Sequence, residues 1–241
     1  MKLTIGHLYP DLLNLYGDRG NIRCLQKRCE WRGIKTETFA YEITDEIDFS
    51  GLDIVLLGGG QDREQMLVCE RLKAIREDIR AYVEQDKVVI AICGGYQLLG
   101  EYYQTGAGTI EGLNLVDMYT VQGEGRLIGN LVLESELFGM PVVGFENHGG
   151  RTIIKNNRPL GKVLYGYGND GTSGYEGIVY RNVIGTYLHG PVLPKNPQLA
   201  DALISRALKA KYDREIPLSP LPDVEEKAAN AYICTRFLGH A

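Results

Sequence analysis

The spacing of apolar residues divides the chain into two halves. Up to Gly100, short continuous apolar runs alternate with segments whose apolar residues recur every three or four positions. Continuous runs are typical of strands buried on both faces, and the longer spacing is typical of helices that bury one side. The pattern predicts strands at residues 3–8, 35–40, 54–57 and 88–92, and helices at residues 21–32 and about 66–85.

The order strand, helix, strand predicts a doubly wound α/β fold, in which helices flank a mostly parallel sheet. After Gly100, short β-like segments separated by Gly, Asn and Asp turns predict an extension richer in antiparallel strands. These segments lie at residues 129–133, 141–145, 151–154, 162–167, 177–180 and 183–188. A helix at residues 197–212, a proline-containing connection at 213–222 and a C-terminal helical segment at about 222–238 complete a single domain over residues 1–241.

Composition and charge exclude several classes of function. The 241 residues are 44% hydrophobic and 24% charged, which is ordinary for a globular protein. A net charge of −5 with dispersed Lys and Arg offers no basic surface to a nucleic acid. Five cysteines without paired CxxC spacing predict neither a disulfide framework nor a metal site. The amino terminus has no signal-peptide pattern and no transmembrane segment is indicated, so a reducing cytoplasm is expected.

Three predicted strands end in residues suited to chemistry. In a doubly wound sheet, catalytic groups gather beyond the carboxyl ends of the strands. Gly58-Gly59-Gly60, Cys93-Gly94-Gly95 and His189 each follow such an end. The glycines after the cysteine permit a tight strand-to-helix turn, and a thiol at a helix N-terminus has a lowered pKa. Cys93 is therefore predicted to be an activated nucleophile rather than a small core residue, with the N–H groups of Gly60 and Gly94 as candidate oxyanion donors.

A cysteine nucleophile needs a base, and the chain has four histidines. His189 is preferred because it ends a strand, and the pKa of histidine suits proton transfer in both directions. His7 is expected to be a packed core residue, and His240 to lie in the C-terminal tail. His148 remains an alternative base because it too follows an apolar strand.

Several motifs resemble those of class I glutamine amidotransferases, which have a flavodoxin-like fold. Residues 93–97 are similar to the C-x-G-x-Q nucleophile motif, and residues 185–190 to the G-T-Y-x-H-G histidine motif. Residues 144–150 resemble the G-x-E-x-H-x-G segment of the cobyric acid synthase branch. Residues 8–21 and 124–129 are similar to the glutaminase subunits of lipid II isoglutaminyl synthase. The resemblance extends over nearly the whole chain.

The resemblance implies a mechanism and a set of site residues. Cys93 would attack the side-chain amide of L-glutamine and form a γ-glutamyl thioester, and His189 would protonate the departing ammonia. Gly60 and Gly94 would hold the oxyanion. The residues implied in binding glutamine are Arg126, Gln97, Asn147 and His148. An arginine suits a carboxylate because its planar guanidinium can bind both oxygens.

The resemblance also implies a partner protein. This would be a Mur-ligase-like synthetase subunit, MurT, forming a heterodimer with the chain and carrying ATP and Mg, since this chain shows no ATP-binding motif and needs no cofactor of its own. The acceptor would be the α-carboxylate of D-glutamate in lipid II, giving D-isoglutamine in peptidoglycan and a role in cell-wall biogenesis and cell shape. The enzyme would then work in the cytoplasm, near the inner face of the membrane.

One position departs from the wider class I pattern. That pattern has Glu two residues after the catalytic histidine, where this chain has Pro191, and a proline cannot orient an imidazole. Three alternatives follow. Glu146 or another residue of the chain replaces the missing carboxylate, His189 works in a dyad, or the partner subunit supplies the carboxylate.

Three other functions fit parts of the sequence. A cobyric-acid-type amidotransferase shares the site, but such chains usually carry their own nucleotide-binding domain, whereas this one begins with the amidotransferase sheet. A cysteine peptidase or other thiol hydrolase leaves Gln97 and Arg126 without a role. A non-catalytic binding module is disfavoured because both Cys93 and His189 are retained.

Overall fold

The computed structural model describes residues 1–15, 17–106 and 108–239; His240, and Tyr16 within the motif at 8–21, lie outside them. The strands are β1 (Lys2–Leu8), β2 (Lys35–Tyr41), β3 (Ile54–Leu57), β4 (Val88–Ile92), β5 (Tyr102–Thr105), β6 (Gly108–Glu111), β7 (Met118–Glu134), β8 (Val142–Ile154), β9 (Gly161–Tyr165), β10 (Tyr175–Glu176), β11 (Ile178–Tyr180) and β12 (Val183–Thr186). The helices are α1 (Arg19–Glu30), α2 (Asp62–Ala74), α3 (Arg76–Glu84), α4 (Gly94–Leu98), α5 (Pro197–Tyr212) and α6 (Val224–Leu238).

The first sheet has the strand order β2-β1-β3-β4-β12-β11. Its neighbours pair in parallel except at the edge, where β11 is antiparallel to β12. The residues of β3 and β4 are at most 4% exposed, as expected for continuous apolar strands covered on both faces. The predicted α/β fold with a mixed, mostly parallel sheet is confirmed. The carboxyl ends of β3, β4 and β12 lie side by side, because these strands are adjacent and parallel.

The second sheet has the order β10-β9-β7-β5-β6, and β8 also pairs with β7. Strands β7 and β8 form a long antiparallel pair whose register shifts between Gln122 and Leu127. The two sheets meet where Phe145 and His189 exchange backbone hydrogen bonds of 3.3 and 2.9 Å. This contact attaches the second sheet directly to the residue predicted to be the base.

Three of the short strands predicted in the second half belong to longer strands. The segment at 129–133 is part of the 17-residue β7, and β8 contains residues 142–145 and 151–154 of the two next segments. The expectation that a turn separates these two segments is wrong. A Cβ atom at Gly150 would lie 2.5 Å from Gln97 Nε2 and from Thr120 Cγ2, so this glycine allows close packing within an extended strand.

The single helix predicted at about 66–85 is two helices, α2 and α3, that meet at Ile75. The apolar spacing continues through the junction, and the two helices pack on different neighbours. Helix α2 lies against α4, whereas α3 lies against the turn at Phe49, where the rings of Phe49 and Tyr82 are 5.6 Å apart. Among the described residues, no helix combines the length and apolar character needed to cross a membrane.

A buried ion-pair network connects α1 to the C-terminal part of the chain. The guanidinium of Arg28 donates two hydrogen bonds of 2.7 Å to Asp201 on α5, and two of 2.6 and 3.1 Å to Asp223, which precedes α6. The Arg28 side chain is 2% exposed. Asp201 also accepts a 2.7 Å hydrogen bond from Arg32. Removing one member would leave buried charges without compensation.

We predict that Arg28→Met destabilises the fold by about 3 kcal/mol, because Asp201 and Asp223 lose their shared cation. Urea unfolding followed by circular dichroism measures the change. Lys27→Met is the matched control, since Lys27 lies next to Arg28 on α1 and makes an exposed pair with Glu30. The control should change the free energy of unfolding by less than about 0.5 kcal/mol. Equal effects of the two substitutions would contradict this role of Arg28.

Candidate active site

Cys93 occupies a strained turn between β4 and α4. Its backbone angles are φ 50° and ψ −106°, a conformation that is costly for a residue with a Cβ atom. Two hydrogen bonds hold it: the Cys93 N–H donates to the Thr186 carbonyl at 2.8 Å, and the Gln97 N–H donates to the Cys93 carbonyl at 3.0 Å. The sheet on one side and the helix on the other therefore determine where the thiol lies.

The loop after β3 packs tightly against this turn. The Gly95 N–H donates to the Gly58 carbonyl at 3.1 Å, and a Cβ atom at Gly95 would lie 2.6 Å from the Leu57 carbonyl oxygen. Gln65 lies between the two candidate oxyanion glycines. Its Nε2 donates a hydrogen bond of 3.0 Å to the Gly60 carbonyl. The same atom lies 2.4 Å from the position that a Cβ atom would take at Gly94. The structure thus brings both glycines to the Cys93 turn, and their role as oxyanion donors stays a prediction.

A cavity of about 530 Å³ opens above the thiol. Of the predicted site residues, its walls include Gly60, Cys93, Gln97, Arg126 and His148. His189 follows β12, which pairs directly with β4, and it lies on the same edge of the sheet. The cavity is therefore built from both sheets.

Arg126 reaches the cavity from the irregular part of β7. Its Nε donates to Asn147 Oδ1 at 2.7 Å, and one of its terminal nitrogens donates to the Asn147 carbonyl at 2.8 Å. Asn147 was predicted to bind substrate. In this structure it accepts both hydrogen bonds from Arg126 and so orients the guanidinium in the cavity wall, and its contact with substrate stays a prediction.

Burial sets the protonation state of the two predicted catalytic groups. Cys93 is 6% exposed, and burial raises the pKa of its thiol to about 12, with a further increase from Asp18 and opposing effects of Arg126 and the Gly94 N–H. The expectation that the helix N-terminus lowers this pKa is wrong for the unliganded site, because desolvation of the thiolate outweighs the short helix. Burial is the main cause that lowers the pKa of His189 to about 4, with smaller contributions from the nearby His148, Arg126 and Lys195 side chains. A neutral thiol and a neutral imidazole therefore coexist at neutral pH.

His148 belongs to a hydrogen-bonded layer beneath the cavity. Its ring stacks on the ring of Tyr187 with centroids 3.6 Å apart, and its Nδ1 is 2.8 Å from the Gly150 carbonyl. The Tyr187 hydroxyl contacts Thr152 Oγ1 at 2.5 Å and accepts a hydrogen bond from Gln97 Nε2 at 3.1 Å. Tyr187 lies inside the histidine motif at 185–190, but the sequence patterns did not predict that its side chain contributes to this layer.

Three buried carboxylates surround the site, and each accepts hydrogen bonds from backbone amides. Asp18 accepts from Gly59 at 3.0 Å, Glu146 from Tyr167 and Gly168 at 2.7 and 3.0 Å, and Glu176 from Tyr187 at 2.7 Å. Burial raises the pKa of Asp18 to about 6 and that of Glu176 to about 8. Glu146, a candidate third catalytic member, also lies 3.5 Å from His148 Nε2. Sequence reasoning missed Asp18 and Glu176, because a single acidic residue carries no periodic signal.

The position of Pro191 explains the departure from the usual triad. A Cβ atom at Gly20 would lie 2.3 Å from Pro191 Cγ, so the proline packs against the start of α1. The residue at the usual carboxylate position therefore serves packing between α1 and the segment after His189.

Comparisons with known proteins agree with this geometry. A sequence profile of the CobB/CobQ-like glutamine amidotransferase domain matches residues 4–197. The chain belongs to this family. The resemblance stated from its motifs is confirmed, and so is its assignment as a glutamine amidotransferase, a glutamine-hydrolysing type of enzyme subunit.

Two relatives of similar length are described as the subunit GatD of lipid II isoglutaminyl synthase (glutamine-hydrolyzing). The Staphylococcus aureus (strain N315) protein is 46% identical over 220 residues, which cover 91% of this chain and 88% of the relative. The Streptococcus pneumoniae (strain R6) protein is 43% identical over 226 residues, which cover 92% and 87%. A probable cobyric acid synthase of Methanothermobacter thermautotrophicus is 32% identical over 164 residues, but these cover only 32% of that protein.

Solved structures support the fold. A glutamine amidotransferase crystal structure matches with a TM-score of 0.54 and 15% identity, covering 84% of this chain and 98% of that one. A glutamine amidotransferase from Thermotoga maritima matches with a TM-score of 0.53 and 15% identity, covering 99% of both chains. At this identity the likeness concerns the fold alone.

We predict that the Cys93 thiol of this protein, in the absence of glutamine, stays protonated up to about pH 9, because burial disfavours the thiolate. The difference in ultraviolet thiolate absorbance between the wild-type protein and Cys93→Ala, followed as the pH is raised, measures this ionisation. A difference signal that titrates near neutral pH would contradict this prediction, because it would show that the helix N-terminus lowers the pKa of the thiol despite burial.

Proposed function

We propose that this chain is the glutaminase subunit of a lipid II isoglutaminyl synthase and hydrolyses L-glutamine through a Cys93 thioester. The observation that carries the proposal is the strained Cys93 turn at the base of a cavity that also contains Arg126, with His189 following the strand β12 that pairs with β4. Similarity to GatD subunits over about nine-tenths of the chain supports the choice of enzyme.

The first half of the reaction forms the thioester. Neutral His189 accepts the Sγ proton of Cys93 as the sulfur attacks the carboxamide carbon of glutamine, and the N–H groups of Gly60 and Gly94 stabilise the oxyanion. The tetrahedral intermediate then collapses. Its C–N bond breaks, and the His189 imidazolium gives its proton to the departing nitrogen, which leaves as ammonia.

The second half regenerates the enzyme. His189 accepts a proton from water as the water oxygen attacks the thioester carbon, and cleavage of the C–S bond returns the proton to sulfur. The products are glutamate and ammonia, and the net reactants are glutamine and water. Arg126, oriented by Asn147, binds the α-carboxylate of the substrate, while Gln97 and His148 complete the wall of the cavity that holds the substrate.

Ammonia release is coupled to a synthetase partner. The proposed partner is the Mur-ligase-like subunit MurT, which binds ATP and Mg, activates the α-carboxylate of D-glutamate in lipid II and receives the ammonia. This chain supplies no cofactor. Lipid II places the complex in the cytoplasm, near the inner face of the membrane.

The partner also contributes the third catalytic group in this proposal. The usual carboxylate position holds Pro191, and Asp18, Glu146 and Glu176 each bind backbone amides. A carboxylate from the partner would orient His189 only in the complex, which would prevent wasteful hydrolysis of glutamine.

The central test is ammonia release from L-glutamine by the chain alone and with the co-expressed synthetase subunit. We expect Cys93→Ala to abolish release, since the nucleophile is lost, and the partner to stimulate the wild-type protein at least about 10-fold, since it completes the triad. Cys234→Ala on α6 is the matched control and should retain full activity.

Different results would exclude different functions. Wild-type activity that persists in Cys93→Ala would exclude the thioester mechanism. Equal activity of the free chain and the complex would exclude a carboxylate from the partner. No release under any condition would favour a binding module, and labelling of Cys93 by peptide-like but not glutamine-like electrophiles would favour a peptidase.

We predict that His189→Gln lowers kcat about 100-fold or more, because it removes the proton carrier of both half-reactions. His148→Gln tests the alternative base. It should mainly raise KM, because the His148 ring stacks on Tyr187 and lines the cavity wall. Steady-state kinetics of the complex measure both effects, and a larger loss of kcat in His148→Gln than in His189→Gln would reverse the assignment.

A further inference from the structure

The charged residues of the cavity suggest how the substrate is recognised. Among the residues that line it, the only carboxylate is that of Asp62, and the guanidinium groups belong to Arg63 and Arg126. Asp62 begins α2, directly after the Gly58–Gln61 loop that packs on the Cys93 turn. It therefore comes from the first sheet's side of the cavity, whereas Arg126 comes from the second sheet.

Tyr103 fixes the Asp62 carboxylate. The Tyr103 hydroxyl donates to Asp62 Oδ1 at 3.3 Å, and the Tyr103 side chain is 7% exposed in the cavity wall. This hydrogen bond uses one of the two carboxylate oxygens. The other can accept from a ligand without breaking it.

Asp62 and Arg126 are both close enough to Cys93 to act on it electrostatically. They have opposite effects on the thiol, because Asp62 raises its pKa and Arg126 lowers it. Asp18 also raises this pKa, but it is not part of the cavity wall, so Asp62 and Arg126 are the carboxylate and the cation that both act on Cys93 and line the cavity. Glutamine presents the matching pair, since its α-carbon carries an ammonium and a carboxylate while its carboxamide lies at the far end of the side chain.

We propose that Asp62 binds the α-ammonium group of glutamine, and that Tyr103 is a positioning residue for its carboxylate. The inference rests on the proposed glutaminase function and extends it to the chemical class of substrate. A charge-assisted contact of this kind selects the free amino acid. Glutamine with an acylated α-nitrogen, as within a peptide chain, has no ammonium for Asp62 and is rejected.

Acidic residues in the first turn of a helix can also act through the helix dipole. Glu64 provides the control, because it too lies in the first turn of α2 but is not part of the cavity wall. Asp62→Asn and Glu64→Gln each remove one negative charge from the same helix end. Only the first removes a charge that faces the substrate.

The test compares L-glutamine with 4-carbamoylbutanoate, the same molecule without its α-amino group, as substrates of the complex. For Asp62→Asn we expect the KM for L-glutamine to rise at least about 10-fold with little change in kcat, because only binding of the ammonium is lost. The kcat/KM for 4-carbamoylbutanoate should change less than about threefold. Tyr103→Phe should raise the KM for glutamine by a smaller factor, and Glu64→Gln should match the wild type.

Two outcomes would overturn the inference while leaving the glutaminase intact. An equal loss on both substrates would mean that Asp62 supports the loop rather than the ammonium, and an unchanged KM for glutamine would mean that it makes no contact. Binding of L-glutamine to Cys93→Ala and to Cys93→Ala with Asp62→Asn, measured by calorimetry, checks the same contact without turnover. Absence of ammonia release by the wild-type complex would instead refute the proposed function, and with it the inference.

Discussion

The hydrogen bond from the Cys93 N–H to the Thr186 carbonyl is the constraint on which the site depends. It continues the parallel pairing of β4 with β12 one residue beyond β4, and so holds Cys93 in its positive-φ conformation. The same pairing sets where His189 follows, three residues after Thr186. The Gly95 contact with Gly58 then adds the loop after β3. Three neighbouring parallel strands thereby place the predicted nucleophile, the predicted base and the candidate oxyanion loop at one edge of the sheet.

Burial determines the charge of the two predicted catalytic groups. Burial disfavours both the thiolate and the imidazolium, which raises the pKa of Cys93 and lowers the pKa of His189. In the proposed mechanism the neutral pair still reacts, because proton transfer to His189 accompanies the attack of sulfur on carbon. A protonated thiol is also less prone to oxidation. In that mechanism a partner carboxylate would stabilise the imidazolium that forms during the reaction.

Strong local signals made the backbone of the candidate site predictable from the sequence. A continuous apolar run, two glycines and a histidine at a strand end determine the local backbone, and the structure places β4, α4 and His189 accordingly. The lengths of β7 and β8 were not predictable, because Gly150 resembles a turn residue until Gln97 and Thr120 are seen beside it. The pKa of Cys93 was predicted with the wrong sign for a similar reason, since burial depends on the whole fold. The places of Asp62 and Asp18 at the site were not predictable either, because they depend on contacts with Tyr103 and Gly59, which are distant in the sequence.

The cavity joins two halves of the fold, and the residues proposed to recognise the substrate are divided between them. Arg126 and His148 come from β7 and β8, whereas Cys93, Gly60 and Asp62 come from the ends and loops of the first sheet. The backbone contact between Phe145 and His189 connects the halves at the base itself. A glutamine bound as proposed would contact both halves, so the reaction would need the two sheets to keep Arg126 and Cys93 on facing sides of one cavity. The hydrogen bonds between Phe145 and His189 meet this need, because they join β8 to the residue that follows β12.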